Sequence, residues 1–135
     1  MTGQRFATAT FLSALCALLM SSCGDGGGNP QGPSGGGGGG GTVGATITIT
    51  SAGVSPKNVT VTAGSRVTFV NNDNRAHDMS SDPHPDHTDC PAATVGDIQP
   101  GQSRATQNLN TVRTCGFHDH NQPSATSLTG TIQIQ

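Results

Sequence analysis

Apolar and hydroxyl side chains alternate in several short segments of the chain. Residues 45–50 read Ala-Thr-Ile-Thr-Ile-Thr, and residues 59–62 read Val-Thr-Val-Thr. This period of two is typical of a strand with one buried face. A Gly-containing turn at residues 63–65 then leads to a third predicted strand at residues 67–70.

The second half of the chain contains further short apolar segments. We predict strands at residues 102–109, 112–115 and 131–134, with a Pro-Gly turn before the first of them. Residues 71–93 are rich in Asp, Pro and His and show no sustained periodicity, which predicts one long ordered loop. Short strands divided by turns indicate an all-β fold, a small antiparallel β-sandwich.

The amino terminus has the features of an export signal. Arg5 precedes an apolar run at residues 6–20, which is long enough for a signal sequence but short for a membrane-spanning helix. Two serines then precede Cys23, and this segment resembles the lipobox of bacterial lipoproteins. The resemblance implies a signal peptide at residues 1–22, lipid attached to Cys23, and a protein on the outer membrane that faces the periplasm or cell exterior. Secretion with a free Cys23 is the alternative.

Glycine dominates the segment that follows the predicted cleavage site. Residues 23–44 include a run of seven glycines at residues 35–41 and few side chains that could pack, which predicts a flexible linker. Residues 45–135 are left as one small domain, which we expect to be monomeric. The lipid would be its only contact with a membrane.

Composition narrows the range of partners and of stabilising elements. The chain has 135 residues and contains no Glu, a good helix former. Its formal net charge is −2 and it has no cluster of basic residues, which argues against nucleic acid as a partner. The predicted domain contains two aromatic residues, Phe69 and Phe117, so its core is small. A disulfide or a metal ion is expected to stabilise it.

Five histidines lie in the predicted domain. They form two groups in the sequence, His77, His84 and His87, then His118 and His120. In an extended segment, residues two apart share a face, so two such pairs can each direct two donor groups the same way. These pairs are His77 with Met79, and His118 with His120. Imidazole, thiolate and thioether donors suit copper.

The chain resembles the cupredoxins, small copper proteins of the plastocyanin and azurin type, in four segments. These segments are Ala63-Gly64-Ser65 with Val67 and Phe69 before Asn71-x-Asp73-x3-His77, then Pro100-Gly101-Gln102-Ser103, Cys115-x2-His118, and Thr129-Gly130-Thr131-Ile132-x-Ile134. The resemblance implies a Greek-key β-sandwich that holds one copper ion. It further implies an electron carrier rather than an enzyme, with a redox or copper-handling protein as partner.

By the same resemblance, the copper ligands would be His77, Cys115 and His118. The weaker candidates are His120, at the azurin spacing from Cys115, and Met79, His84 and His87. The chain departs from the family pattern because no Met follows His118, and Leu128 stands where the axial ligand is expected.

The number of cysteines left in the mature chain supports a different ligand set. Once Cys16 leaves with the signal and Cys23 is acylated, only Cys90 and Cys115 remain, and exported domains commonly pair such cysteines. A disulfide would exclude Cys115 as a ligand and leave an all-histidine copper site, with or without Met79, suited to copper scavenging or delivery.

Two further interpretations remain open at the level of the sequence. Residues 116–120 read Gly-Phe-His-Asp-His, which resembles a motif of copper-zinc superoxide dismutases, although no histidine follows it. The other interpretation is a metal-free surface β-sandwich whose histidines are incidental.

Overall fold

A computed structural model describes residues 41–135 of the chain. The predicted signal peptide, Cys23 and most of the predicted linker lie outside the described residues. Within residues 41–135 there are nine β-strands and two 3-10 helices, and no helix there is long and apolar enough to cross a membrane.

The nine strands form two sheets packed as a sandwich. Their bounds are β1 Val43–Thr50, β2 Gly53–Ser55, β3 Asn58–Val61, β4 Arg66–Asn71, β5 His77–Ser81, β6 Gly96–Ile98, β7 Ser103–Ala105, β8 Arg113–Asp119 and β9 Gly130–Ile134. One sheet has the order β2-β1-β4-β7, and the other has the order β3-β9-β8-β5-β6. The predicted all-β sandwich is confirmed.

Each sheet is mixed rather than purely antiparallel. Strands β1 and β4 pair in parallel in the first sheet, and β3 and β9 pair in parallel in the second, while the remaining pairs are antiparallel. Strand β1 begins at Val43, so the last two residues assigned to the linker take part in the sheet.

The segment predicted as one long loop contains strand β5. That strand reads His-Asp-Met-Ser-Ser, and most of its positions are buried on both faces of the sheet, so it shows no alternation of apolar and polar residues. Strand β8 likewise extends to Asp119, beyond its predicted end at residue 115. His77 and His118 therefore lie in strands, whereas the sequence placed His77 in the long loop and His118 beyond the end of a strand.

The core lies between the sheets and includes the two cysteines. Phe69 and Phe117 meet edge to face with ring centroids 5.2 Å apart, surrounded by buried aliphatic side chains. Cys90 and Cys115 form a disulfide across a sequence separation of 25 residues. In the chain-entropy model, a loop of this length corresponds to about 3 kcal/mol of stabilisation.

Candidate metal centre

The register between β5 and β8 decides which side chains reach the outer face of the second sheet. Ser80 lies opposite His118, and Met79 lies opposite Asp119. Because directly opposed residues share a face and neighbours alternate, His118 and Ser80 project away from the face that carries Met79. Met79 is fully buried in the core, so His118 belongs to the outer face.

A short loop after β5, residues 82–90, returns over this outer face, and we call it the histidine loop. At its start, the amide of Asp82 donates to the carbonyl of Gly116 at 3.1 Å. At its end, Cys90 is bonded to Cys115, and the amide of Asp89 donates to the carbonyl of Asp82 at 2.9 Å. Both ends of the loop are therefore fixed to adjacent residues of β8.

The histidine loop and the end of β8 bring four imidazole rings together. The possible ligand atoms of this histidine cluster all lie within 4.8 Å of one another, and its members are His84, His87, His118 and His120. His87 Nε2 lies 3.0 Å from His120 Nδ1. In a tetrahedral complex with metal–nitrogen bonds of about 2.0–2.1 Å, donor nitrogens are about 3.3 Å apart. The His87–His120 separation is close to that value, and separations of up to 4.8 Å elsewhere in the cluster would have to shorten when an ion binds.

His118 lies at the buried end of the cluster. Its Nδ1–H donates to Asp82 Oδ1 at 2.7 Å, while its Nε2 is buried and has no hydrogen-bond partner. A buried polar atom without a partner is uncommon and unfavourable. A metal ion bound at Nε2 would supply the missing partner, so the cluster fits a metal.

His87 is held in an unusual backbone conformation. It is the one residue other than glycine with positive φ, 53°, among residues 41–135. Its amide donates to the carbonyl of Pro83 at 2.7 Å, and its carbonyl accepts from Ser81 Oγ at 2.9 Å. Left-handed backbone in a residue with a Cβ is unfavourable and recurs at functional sites.

Burial lowers the pKa of His87 below the usual value of an imidazole. The positive charges that neighbouring histidines would carry lower this pKa further, while the carboxylate of Asp78 opposes the shift. A lowered pKa keeps the ring neutral at neutral pH, and the neutral ring is the form that binds a metal.

His77, predicted as a copper ligand, lies outside the histidine cluster. Its ring is fully buried, and Nδ1 lies 2.8 Å from Asp119 Oδ2 while Nε2 lies 3.1 Å from Asp73 Oδ2. Each ring nitrogen thus has a carboxylate partner, and neither is left for a metal. The structure gives His77 a structural role in the core.

Asp73 has its own set of partners in this buried group. Its pKa is lowered chiefly by the hydrogen bond from the amide of Asn74, at 2.7 Å, and less by His77 and Arg75, while burial opposes the shift. Arg75 Nη2 lies 3.2 Å from Asp73 Oδ2. His77, the first copper ligand that the resemblance predicted, is therefore part of a buried ion-paired group.

The disulfide decides between the two predicted roles of Cys115. Its sulfur is bonded to Cys90, so it offers no thiolate, and the ligand set that included Cys115 does not fit this structure. Met79 is packed in the core on the opposite face from His118. The structure instead brings together His84 and His87, two of the weaker candidates, with His118 and His120.

Asp82 was missed in the sequence, as was the contact that makes it important. Nothing in the local sequence links this aspartate to a histidine 36 residues later. Only the pairing of β5 with β8 brings them together.

The two mixed sheets have a cupredoxin-like fold. Among solved structures, the chain is similar to a purple cupredoxin from Nitrosopumilus maritimus, at 15% identity and a TM-score of 0.53 over 67% of this chain and 99% of that one. It is also similar to a reduced auracyanin from Roseiflexus castenholzii, at 18% identity and a TM-score of 0.54 over 71% of this chain and 99% of that one.

A third similar structure is an amicyanin from Paracoccus versutus, at 16% identity and a TM-score of 0.54 over 70% of this chain and 81% of that one. No protein-family model and no curated protein sequence matches the chain. At these identities the similarity concerns the fold, so the metal site must be argued from the residues of this chain.

Proposed function

We propose that the domain binds one copper ion through the histidine cluster, His84, His87, His118 and His120. The observation that carries the proposal is the convergence of four imidazole donors within 4.8 Å. The buried, unpartnered Nε2 of His118 supports it, because a bound ion would give this atom a partner.

The donor set favours copper over other divalent metals. Imidazole nitrogen binds zinc, copper, nickel and iron, and among divalent first-row metals the affinity of a given site is highest for copper(II). The fold is shared with proteins named as cupredoxins, which supports the same metal. Zinc is the expected competitor, because four nitrogen donors also suit its tetrahedral geometry.

Exposure of the cluster favours capture and delivery of copper as the role. His118 is buried, His87 and His120 are half-buried, and His84 is exposed on the histidine loop. A bound ion would therefore be reached from the side of His84, where a donor group of another copper-handling protein can approach. The chain would present this site at the outer membrane if Cys23 carries the predicted lipid.

Electron transfer is the second candidate function, and the fold favours it. A fern plastocyanin with 20% identity to this chain has been solved in oxidised and reduced forms. Here the carrier would lack a thiolate ligand, since Cys115 is in the disulfide. Reversible one-electron voltammetry of the copper-loaded chain would support this role, and an electrochemically silent protein would support delivery.

Copper titration of the full chain tests the proposed site. We expect one equivalent of copper(II) to survive dialysis against a weak chelator and to give an electron paramagnetic resonance spectrum with nitrogen hyperfine structure. No intense thiolate charge-transfer band should arise from the proposed site, because Cys90 and Cys115 are bonded to each other and neither offers a thiolate.

The matched control is the double variant His84→Ala/His120→Ala, which removes two donors and should retain no copper. Loss of copper from the wild-type chain under these conditions would contradict the proposal. So would equal retention by the double variant.

A further inference from the structure

The carboxylate of Asp82 lies behind His118, on the side away from the unpartnered nitrogen. Oδ1 of Asp82 accepts a hydrogen bond from His118 Nδ1–H at 2.7 Å. The side chain of His118 is 3% exposed, and that of Asp82 is 44% exposed. The aspartate therefore spans the boundary between the buried imidazole and solvent.

This hydrogen bond determines which nitrogen of His118 can bind a metal. A neutral imidazole carries one N–H, and a carboxylate can only accept, so the proton is fixed on Nδ1. The lone pair is then on Nε2, the buried atom without a partner. The carboxylate also makes the ring a stronger donor, as such partners do for histidines in other metal sites.

Gly116 provides the space that this carboxylate occupies. The amide of Asp82 donates to the carbonyl of Gly116, which places the two residues opposite each other across β5 and β8. A Cβ added at residue 116 would collide with Oδ2 and Cγ of Asp82. Gly116 has no positive φ, so the backbone would accept alanine and only the carboxylate would have to move.

We propose that Asp82 is a positioning residue for the copper site and that Gly116 is required because it leaves room for the carboxylate. The proposal deepens the proposed function and rests on it for the identity of the bound ion. It assigns Asp82 no contact with the metal. Asp82 fixes the proton and the orientation of His118, and His118 Nε2 binds.

The first test measures the tautomer of His118 in the metal-free chain. Nitrogen-15 chemical shifts, recorded at a pH above the titration of imidazole, should show the proton on Nδ1 in the wild type. In Asp82→Ala and in Gly116→Ala we expect a shift toward the Nε2–H form, since the acceptor is removed or displaced. An unchanged tautomer in both variants would overturn the proposal. This readout needs no metal, so it remains decisive even if the wild type binds no copper and the proposed function fails.

The second test is a double-variant cycle on copper affinity. Loss of a partner of this kind typically weakens metal binding by about 10- to 100-fold, which is the change expected for Asp82→Ala. Gly116→Ala should weaken binding in the wild type but have no further effect in Asp82→Ala, because it acts only through the carboxylate.

The control is Asp86→Ala, which removes an equal charge from an exposed position of the same loop. It should change the affinity by less than about threefold, in line with a screened surface charge. Equal losses in Asp82→Ala and Asp86→Ala would assign the effect to net charge and overturn the proposal. A further loss from Gly116→Ala in the Asp82→Ala background would overturn the role given to Gly116.

Discussion

The number of carboxylate partners distinguishes two buried histidines with opposite roles. His77 has a carboxylate at each ring nitrogen, and His118 has one at Nδ1 only. The second carboxylate that contacts His77 occupies the position that a metal ion would need at the other ring nitrogen. The same residue type is therefore a structural member of the core in one place and a candidate ligand in the other.

Single alanine substitutions should separate these two roles. His118→Ala should reduce copper affinity by at least about 100-fold, because the site loses its most buried donor. His77→Ala should lower the free energy of unfolding by about 3 kcal/mol, because it removes the imidazole bonded to the buried carboxylate of Asp119. Its effect on copper affinity should be small. Urea unfolding and competition with a chelator measure the two quantities.

A folded His77→Ala variant that fails to bind copper would contradict this assignment and return His77 to the ligand set. Should His77→Ala not fold, His77→Gln offers a milder change. Its amide can still bond one of the two carboxylates, and it should bind copper like the wild type.

At the scale of elements, periodicity predicted the strands that have one apolar face. Strands β1 and β3 alternate regularly and lie where they were expected, apart from the earlier start of β1. Strand β5 was missed because its outward positions carry Asp and Ser and its inward positions include His77. A strand with polar groups on both faces gives no signal of period two, and only its hydrogen bonds to β6 and β8 reveal it.

The disulfide anchors the carboxyl-terminal end of the histidine loop to strand β8. We expect the variant Cys90→Ala/Cys115→Ala to be less stable by about 3 kcal/mol, from the loop that the bond closes. It should also bind copper about tenfold more weakly, since two of the four histidines of the cluster lie on the loop and the loop then loses the anchor at one end. Calorimetric titration below the unfolding temperature measures the affinity.

Reduction of the wild-type chain provides the comparison for this variant. If the disulfide acts only as an anchor, the reduced chain and the double variant should have equal copper affinities. An intense blue or green band in the reduced, copper-loaded chain would contradict that expectation, because it would show that a released thiolate binds copper.

At the scale of the whole molecule, the core lies between the two sheets, whereas the histidine cluster lies on the outer face of the second sheet. The sequence predicted the fold, and it offered copper as the metal and all four members of the histidine cluster as candidate ligands. It ranked His77 and Cys115 above His84 and His87 because the partners of His77 and Cys115 could not be read from the sequence. Those partners, Asp119 and Cys90, are distant in the sequence and are brought close only by the packing of strands and loops.

Acid should destabilise the whole domain partly through Asp73, which is not a member of the histidine cluster. Its folded-state pKa is lowered, chiefly by the amide of Asn74, so the folded chain binds fewer protons than the unfolded chain near the unfolded pKa of about 3.9. The stabilising contribution of a group with a lowered pKa is present above the unfolded value and is lost as the pH falls through the folded value. Asp73→Asn should therefore be less stable than the wild type at neutral pH, and it should lose less stability below about pH 4.

Urea unfolding of the metal-free chain over a series of pH values measures this difference, and copper ligation does not enter the comparison. Arg75→Gln is the matched variant, because it removes one of the smaller causes of the lowered pKa while keeping the carboxylate. Its loss of stability in acid should lie between those of Asp73→Asn and the wild type. Parallel curves for the wild type and Asp73→Asn would show that Asp73 does not contribute to the acid sensitivity.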